Sequence, residues 1–176
     1  MTETTEASAQ AFLAARKTLV LATARKGVPT ASYAPFVHDG EAFYIYTSAL
    51  SRHTRDLLER KTASVLLIND ESASHNLFAR ERITFTCAVT VVQREGTKWK
   101  LMMDSFEVGF GKPFLLIRPL ADFTLFRLEP KEAVYVRGFG KAYRMRGDLK
   151  DPVHIQGTGP GAKTMDKKKP QGTRKR

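Results

Sequence analysis

The stretch AFYIYTSALSRHTRDLLERKTASVLLIN, residues 42–69, decides the fold. Its first six residues, 42–47, are apolar and aromatic, which is typical of a β-strand. Ser51 is a residue type favoured at helix N-caps and predicts a helix over 52–60. The apolar run at 62–69 then predicts a buried strand. A strand, a short helix and a second strand therefore follow one another within fewer than thirty residues.

Upstream of this stretch the sequence predicts a short amphipathic helix at 8–17 and two further strands. Lys26-Gly27 and His38-Asp39-Gly40 are turn signals between consecutive apolar segments. Pro35 interrupts the second of these strands and indicates an edge or a bulge. The predicted result is an antiparallel meander of three strands: 18–25, 30–37 and 42–47.

Downstream of this stretch the sequence again favours strands over helices. Residues 70–80 are predicted to form a loop with one helical turn, and 82–94 alternates as a long strand. The helix predicted at 98–111 carries an apolar stripe expected to lie in the core or in a dimer interface: Trp99, Met102, Met103 and Phe106. Two more strands are predicted, at 122–128 and 133–145.

These elements favour a mainly β fold, an antiparallel β-barrel with peripheral helices. A doubly wound sheet would need regular alternation of strands and helices, which the pattern lacks. We expect one such domain over 1–156, followed by a basic and disordered tail over 157–176.

Composition excludes several classes of protein and locates the charge. The chain has 176 residues, 42% of them hydrophobic, and a formal net charge of +11. The hydrophobic fraction excludes a wholly disordered chain and a collagen-like repeat. A disulfide scaffold is excluded because Cys87 is the single cysteine. The tail contributes +6 of the charge, through seven basic residues and one acidic one. No signal peptide or membrane-spanning run is recognisable, so a soluble, cytoplasmic protein is expected.

The junction between the strand at 42–47 and the helix at 52–60 has the chemistry of an anion site. A helix N-terminus presents unpaired N–H groups, and hydroxyls with a guanidinium complete a phosphate pocket. The candidates are Thr47, Ser48, Ser51, Arg52, His53 and Thr54. Alternatively, Ser51 merely caps the helix while Arg52 and Arg55 face water.

The order of several motifs resembles the pyridoxamine-5′-phosphate-oxidase-like FMN-binding split barrel. The motifs are RKTLVLAT, PTASYAPFV, AFYIYTSALSRHTRDL and TASVLLIND. Within that family, SYAPF, NLFARERITF, LADFTLFRLEP and VYVRGFGKAYRMRGDL resemble the haem-utilisation (HutZ/HugZ-like) branch. The resemblance runs from about Arg16 to His154.

The resemblance implies a six-stranded split barrel that forms a homodimer with ligand sites at the interface. It also implies that the segment 47–54 holds the phosphate of FMN. The backbone of Ser32, Tyr33, Ala34 and Pro35 would line the flavin ring. In this first interpretation the protein is a flavin-dependent oxidoreductase, in which FMN performs the redox step.

The haem-utilisation branch implies a different cofactor. Its members bind haem through a histidine near the C-terminus, assisted by an aspartate that matches Asp122. The chain has no histidine after His154, so the expected ligand is missing. His154 stands as the alternative haem ligand on residue type alone. The second interpretation is therefore a haem-binding or haem-degrading protein of iron utilisation.

Other binding classes receive less support. The four histidines do not have metal-ligand spacing, so no intrinsic metal site is predicted. His38 is expected to be an exposed turn residue. The basic tail suggests an anion or nucleic-acid binder, but no aromatic platform accompanies it, so nucleic acid is not the expected partner.

Overall fold

A computed structural model describes residues 4–156 of the chain, as one antiparallel sheet with four helices. The helices are α1 (Thr5–Ala14), α2 (Arg52–Arg60), α3 (Thr97–Phe110) and α4 (Lys112–Ile117), and Leu77–Ala79 forms a single 3₁₀ turn. The first five strands are β1 (Thr18–Arg25), β2 (Val28–Pro35), β3 (Val37–His38), β4 (Phe43–Ser48) and β5 (Thr62–Ile68). The others are β6 (Arg82–Val91), β7 (Phe123–Gly138), β8 (Lys141–Arg146) and β9 (Val153–His154).

The strand order confirms the antiparallel split barrel. Neighbouring strands follow the order β2-β1-β5-β6-β7-β4-β3, with β8 paired to β7 and β9 to β8. Six strands on this path have six or more residues, as the resemblance implied. A run of strands that curls around a common core without regular helical crossovers is the architecture predicted from the sequence.

The predicted meander is wrong in one respect. β1 and β2 form a hairpin, and the turn at 38–40 joins β3 to β4 as an antiparallel pair, but β4 also pairs over its whole length with β7 and does not pair with β2. The reason is that β4 is buried on both faces. Phe43 and Ile45 face the barrel core, whereas Tyr44 and Tyr46 face a second core beneath α3, and β7 extends both cores.

β7 is one strand of 16 residues where two strands were predicted. Pro130 lies inside it, and the register with β6 shifts between Thr86 and Cys87, opposite that proline. A proline cannot donate to the ladder, and a bulge lets the strand bend and continue. The proline therefore bends the strand without ending it.

The apolar stripe of α3 is confirmed as core. Its four residues are buried in the second cluster, which packs α3 and α4 against the outer face of β4. The sequence did not predict α4, whose six residues follow Gly111 and carry Pro113 in the first turn. Among residues 4–156 there is no helix long and apolar enough to cross a membrane.

Helix starts show how local bonding sets an element's bounds. α1 begins earlier than predicted, because Thr4 caps it by accepting a hydrogen bond from the Ala7 N–H at 3.1 Å. α2 has the predicted bounds. Ser51 occupies its N-cap position, but its side chain makes no capping hydrogen bond, so the predicted cap interaction is wrong.

Candidate functional site

The predicted anion site is built where β4 ends and α2 begins. Thr54 is fully buried, and its hydroxyl donates to the Ser48 carbonyl at 2.7 Å. The same Thr54 oxygen lies 2.9 Å from Oγ1 of buried Thr47. These bonds fix α2 to the end of β4, so two of the predicted phosphate ligands are occupied in holding the fold together.

Ser48 connects this junction to Asp122, which lies directly before β7. The Ser48 hydroxyl donates to Asp122 Oδ2 at 2.7 Å and accepts from the Leu50 N–H at 3.1 Å. The Ala49 N–H donates to the Asp122 carbonyl at 2.9 Å. The structure thus brings Ser48, a predicted ligand of the FMN phosphate, into contact with Asp122, a residue predicted to assist haem binding. We call Thr47, Ser48, Thr54 and Asp122 the hydroxyl cluster.

The hydroxyl cluster is a poor match to a phosphate. A phosphate placed on the Ser48 hydroxyl would replace its bond to Asp122 and lie beside that carboxylate. Two neighbouring anions repel each other, and the repulsion is screened only in part at an exposed site. The polar groups present therefore fit the phosphate of FMN less well than the sequence predicted.

The other residues at the start of α2 have different surroundings. Arg52 is exposed, and Ser51 is half-buried, with no hydrogen bond from its hydroxyl to another described residue. His53 is half-buried, and burial lowers the pKa of its imidazole, although nearby Asp56 acts in the opposite direction. Its buried Nε2 has no hydrogen-bond partner among the described residues.

Arg52 lies in a cleft that the sequence analysis did not find. The cleft has a volume of about 420 Å³ and lies between α2 and the β1–β2 turn. Its lining residues are Arg25, Lys26, Val28, Arg52, Arg55 and Asp56. We call it the arginine cleft. It combines residues about thirty positions apart, and the adjacent basic residues Arg25 and Lys26 are the only sequence signal that could have indicated it.

The four residues predicted to line the flavin ring lie on β2 and differ in exposure. Tyr33 is 70% exposed and Ala34 is buried, while the Ser32 hydroxyl makes a long 3.5 Å bond to the Leu21 carbonyl. Pro35 borders an apolar cavity of about 160 Å³. The rest of this cavity is lined by Tyr46, Phe106, Phe110, Pro113, Phe114 and Ile117.

His154, the haem alternative, lies on exposed β9. Its Nε2 is 2.8 Å from the Gly140 carbonyl, and its ring packs edge-on against Tyr143 at a centroid distance of 5.2 Å. Tyr143 pairs with Tyr135 on β7, whereas Asp122 precedes the first residue of that strand. Thirteen positions would span about 40 Å in a straight strand, and the bend at Pro130 makes the separation shorter than that. His154 and Asp122 of one protomer are therefore at opposite ends of β7.

Cys87 and His38 are of residue types that bind metals or haem iron, and their surroundings decide whether they could do so. Burial raises the pKa of the Cys87 thiol to about 12, so it is not a thiolate at neutral pH. His38 was predicted to be exposed, but it is half-buried against Phe43, and burial lowers its pKa despite neighbouring Asp39. Within residues 4–156, no group of three or more histidine, cysteine or acidic side chains is arranged to hold a metal.

Comparison with known proteins gives consistent matches. The family model described as pyridoxamine 5′-phosphate oxidase matches residues 5–137. A relative from Vibrio cholerae named Heme oxygenase HutZ is 40% identical over 147 residues, which cover 82% of this chain and 84% of the relative.

Two solved structures are similar in fold and in sequence. HutZ of Vibrio cholerae, described as a heme storage protein, is 37% identical with a TM-score of 0.69, over 72% of this chain and 90% of that one. ChuZ of Campylobacter jejuni is 28% identical with a TM-score of 0.78, over 91% of this chain and 65% of that one.

Proposed function

The chain belongs to the pyridoxamine 5′-phosphate oxidase family, and from this premise we propose that it is a haem-binding protein of the haem-utilisation branch. The observation that carries the proposal is the 40% identity to a relative named as a heme oxygenase, extending over most of both chains. Haem therefore replaces FMN as the preferred cofactor. We further propose that the protein acts in the cytoplasm.

The geometry of the hydroxyl cluster supports haem over FMN. Thr54 and Ser48 donate their hydroxyl protons within the chain, and Asp122 adds a negative charge at the point where a phosphate would bind. Haem has no phosphate and does not need these hydroxyls. The apolar cavity bordered by Pro35 and Tyr46 offers aromatic contacts that suit a porphyrin edge.

His154 is our candidate for the iron ligand. In the tautomer whose Nε2–H donates to the Gly140 carbonyl, Nδ1 carries the lone pair that would bind iron. That hydrogen bond also fixes the direction of the ring. Bound haem would supply the iron centre at which dioxygen reacts.

We propose a homodimer with its ligand sites at the interface between the protomers. Because thirteen positions of β7 separate Asp122 from the residue paired with Tyr143 beside His154, we propose that the two contribute to one site from different protomers. Several large apolar side chains are strongly exposed, as expected of an interface: Leu50, Phe78, Val108, Leu116 and Phe139. Light scattering at micromolar concentration should give twice the chain mass of 19.7 kDa.

Haemin titration tests the cofactor. We expect a saturable Soret band with one haem per chain, and loss of at least about tenfold in affinity in His154→Ala, because a protein–iron bond is removed. His75→Ala is the matched control, since His75 is also an exposed histidine. An unchanged titration in His154→Ala would remove the proposed ligand, and no Soret band in the unmodified protein would remove the function.

A second measurement separates storage from degradation, the two roles named for the relatives. The haem-loaded protein is incubated with ascorbate in air, and the Soret band is followed. Steady loss of the band, faster than for free haemin, indicates haem degradation. A stable band indicates storage or transfer.

An FMN-dependent oxidoreductase is the second candidate. It is favoured by the Ser51 hydroxyl and by the Arg52 guanidinium, because neither has a hydrogen bond or an ion pair within the described chain. Flavin absorbance in the protein as isolated, or saturable quenching of FMN fluorescence that is lost in Arg52→Gln, would establish it. Haemin binding with no such quenching excludes it.

A further inference from the structure

A second cleft lies at the end of α1, where the connection from α1 to β1 meets β3. It has a volume of about 320 Å³. Two of its lining residues, Leu13 and Phe36, belong to the barrel core and are 8% and 5% exposed. The rest of it is lined by Gln10, Ala14, Arg16, His38 and Gly40. We call it the α1 cleft.

Arg16 is a half-buried cation of this cleft whose charge the chain does not neutralise. Its Nη2 donates to Asn69 Oδ1 at 2.9 Å, and its Cζ lies 4.1 Å from the centroid of the Phe12 ring. These contacts fix the guanidinium but supply no negative charge. Its Nε is buried without an acceptor, and the side chain makes no ion pair within residues 4–156. A buried donor without an acceptor is unfavourable, so a ligand that accepts hydrogen bonds would relieve it.

His38 gives the cleft a second donor. The Gly40 N–H donates to its Nδ1 at 3.1 Å, so in the neutral imidazole the proton is on Nε2. This Nε2 has no hydrogen bond to another described residue. The ring is held in place by an edge-on contact with Phe43, at a centroid distance of 4.9 Å.

The α1 cleft has no acidic side chain among its lining residues. The carboxylate of Asp39, which follows His38, is occupied elsewhere, because it accepts from the Tyr44 hydroxyl and from Lys98 Nζ. With neutral His38, the lining side chains carry a charge of +1, that of Arg16. The cleft therefore combines one unpaired positive charge and two donors with an apolar wall.

We infer that the α1 cleft binds a small monocarboxylate that carries an apolar chain. The single negative charge of such a ligand matches the charge of Arg16, and a guanidinium is suited to the two oxygens of a carboxylate. His38 Nε2–H donates to the same carboxylate, while the chain packs against Leu13 and Phe36. A dicarboxylate would bring a second charge that no cation of the cleft pairs.

The α1 cleft is separate from the sites considered above. None of the hydroxyl cluster, the start of α2, residues 32–35 and His154 lines it. The inference is therefore independent of the proposed haem function and would add a second ligand to the protein.

Nuclear magnetic resonance titration of the ¹⁵N-labelled full chain tests the inference. The probes are hexanoate, acetate and hexanamide, and the signals followed are the Gly40 amide and the Arg16 Nε–H. We expect saturable shifts of both signals with hexanoate, at least about tenfold weaker binding of acetate because it lacks the chain, and no saturable shift with hexanamide. Equal affinity for hexanoate and either other probe would contradict the ligand class, and no saturable shift with hexanoate would overturn the site.

Substitution of Arg16 locates the charge that binds the carboxylate. Arg16→Gln should lower the affinity for hexanoate by about tenfold or more, since a charge-assisted contact is lost. Arg16→Lys keeps the charge without the planar fork and should lose at least about threefold, which serves as the test if Arg16→Gln does not fold. Arg60→Gln is the matched control, because Arg60 is an exposed arginine outside the cleft. Full affinity in both Arg16 variants, or an equal loss in the control, would overturn the inference.

His38→Phe tests the second donor, because it keeps an aromatic ring against Phe43 but removes Nε2–H. The affinity for hexanoate should fall by about threefold or more, and full affinity would contradict the role of His38.

The haem-loaded protein distinguishes a free carboxylate from a haem propionate. We expect it to bind hexanoate with unchanged affinity, and haemin titration of Arg16→Gln to match that of the unmodified protein. Loss of hexanoate binding on loading with haem would assign Arg16 to a propionate and would overturn a separate site. Failure of this inference is thus distinguishable from failure of the proposed function, which the Soret band alone decides.

Discussion

The hydroxyl cluster and the arginine cleft both adjoin α2, yet their polar groups differ in whether they have hydrogen-bond or ion-pair partners within the chain. In the hydroxyl cluster, Thr54 and Ser48 donate to partners inside the chain. In the arginine cleft, three cations and one carboxylate oxygen have no partner within the described chain. Internal pairing identifies polar groups that stabilise the fold, and its absence identifies groups that are available to a ligand.

A testable consequence is that substitutions in the two regions should differ in kind. Removing an internally paired group should lower the free energy of unfolding, because its buried partner is left unsatisfied. Removing an unpaired surface cation should leave stability within about 0.5 kcal/mol and change binding instead.

Among the described residues, Asp39 is the carboxylate that accepts the most hydrogen bonds, so its removal should have the largest effect on stability. It accepts from the Ala42 N–H at 2.9 Å, the Tyr44 hydroxyl at 2.9 Å and Lys98 Nζ at 2.6 Å. Asp39→Ala should lower the free energy of unfolding by about 2–4 kcal/mol, because several donors lose a charged acceptor. Urea unfolding measures the loss. Asp70→Ala, at an exposed position, is the control.

The pairing of Asp39 also predicts a dependence on pH. Burial alone would raise the pKa of this carboxyl, but the hydrogen bonds from Lys98 and neighbouring groups outweigh it and hold the pKa well below its ordinary value. The stabilisation is therefore complete above the unfolded pKa of about 3.9 and is lost as the pH falls from about 4. Asp39→Asn should show a smaller loss of stability over this range than the unmodified protein. Equal slopes for the two proteins would contradict the assignment.

Thr54 tests the hydroxyl cluster itself. Thr54→Val keeps the shape of a fully buried side chain but removes the hydroxyl that bonds to the Ser48 carbonyl and contacts Thr47. Stability should fall by about 1–2 kcal/mol. Arg55→Gln, one residue further along α2, should change stability by less than about 0.5 kcal/mol. Similar losses in the two variants would remove the distinction between the two regions.

Helix and strand bounds near these two regions were predictable from the sequence, whereas the contacts between distant segments were not. Local signals placed α2 at 52–60 and a strand at 18–25, and both bounds are those of the structure. The contact of Ser48 with Asp122 joins residues 74 positions apart, and the pairing of β4 with β7 brings it about. No local pattern encodes that pairing, and the predicted meander paired the strand at 42–47 only with the strand before it. The family resemblance supplied both residues but not their contact.

The sequence also did not predict that the side chains of His38 and Ser51 are half-buried. His38 looked like an exposed turn residue because Asp39 and Gly40 follow it, yet Phe43 covers its ring. Ser51 looked like a capping residue from its type alone, but its hydroxyl makes no capping bond. Residue type indicates which bonds a side chain is able to make, and only the packing around it decides which are made.

The smallest expected effect concerns Asp122 and decides why the hydroxyl cluster disfavours a phosphate. Asp122→Asn keeps an oxygen that accepts from the Ser48 hydroxyl, so stability should change little, but it removes a negative charge. Affinity for FMN should rise by about fivefold at low salt, equivalent to about 1 kcal/mol, because an exposed charge acts through a high dielectric.

Fluorescence quenching of FMN measures this affinity, with Asp70→Asn as a control for loss of a distant exposed charge. The gain should shrink in 0.5 M salt, since ions screen exposed charges. If Asp122→Asn leaves FMN affinity unchanged at low salt, repulsion is not the obstacle. The internal bonding of Thr47, Ser48 and Thr54 then accounts for the weak phosphate site by itself, because each hydroxyl has to give up a partner before it can bind an anion.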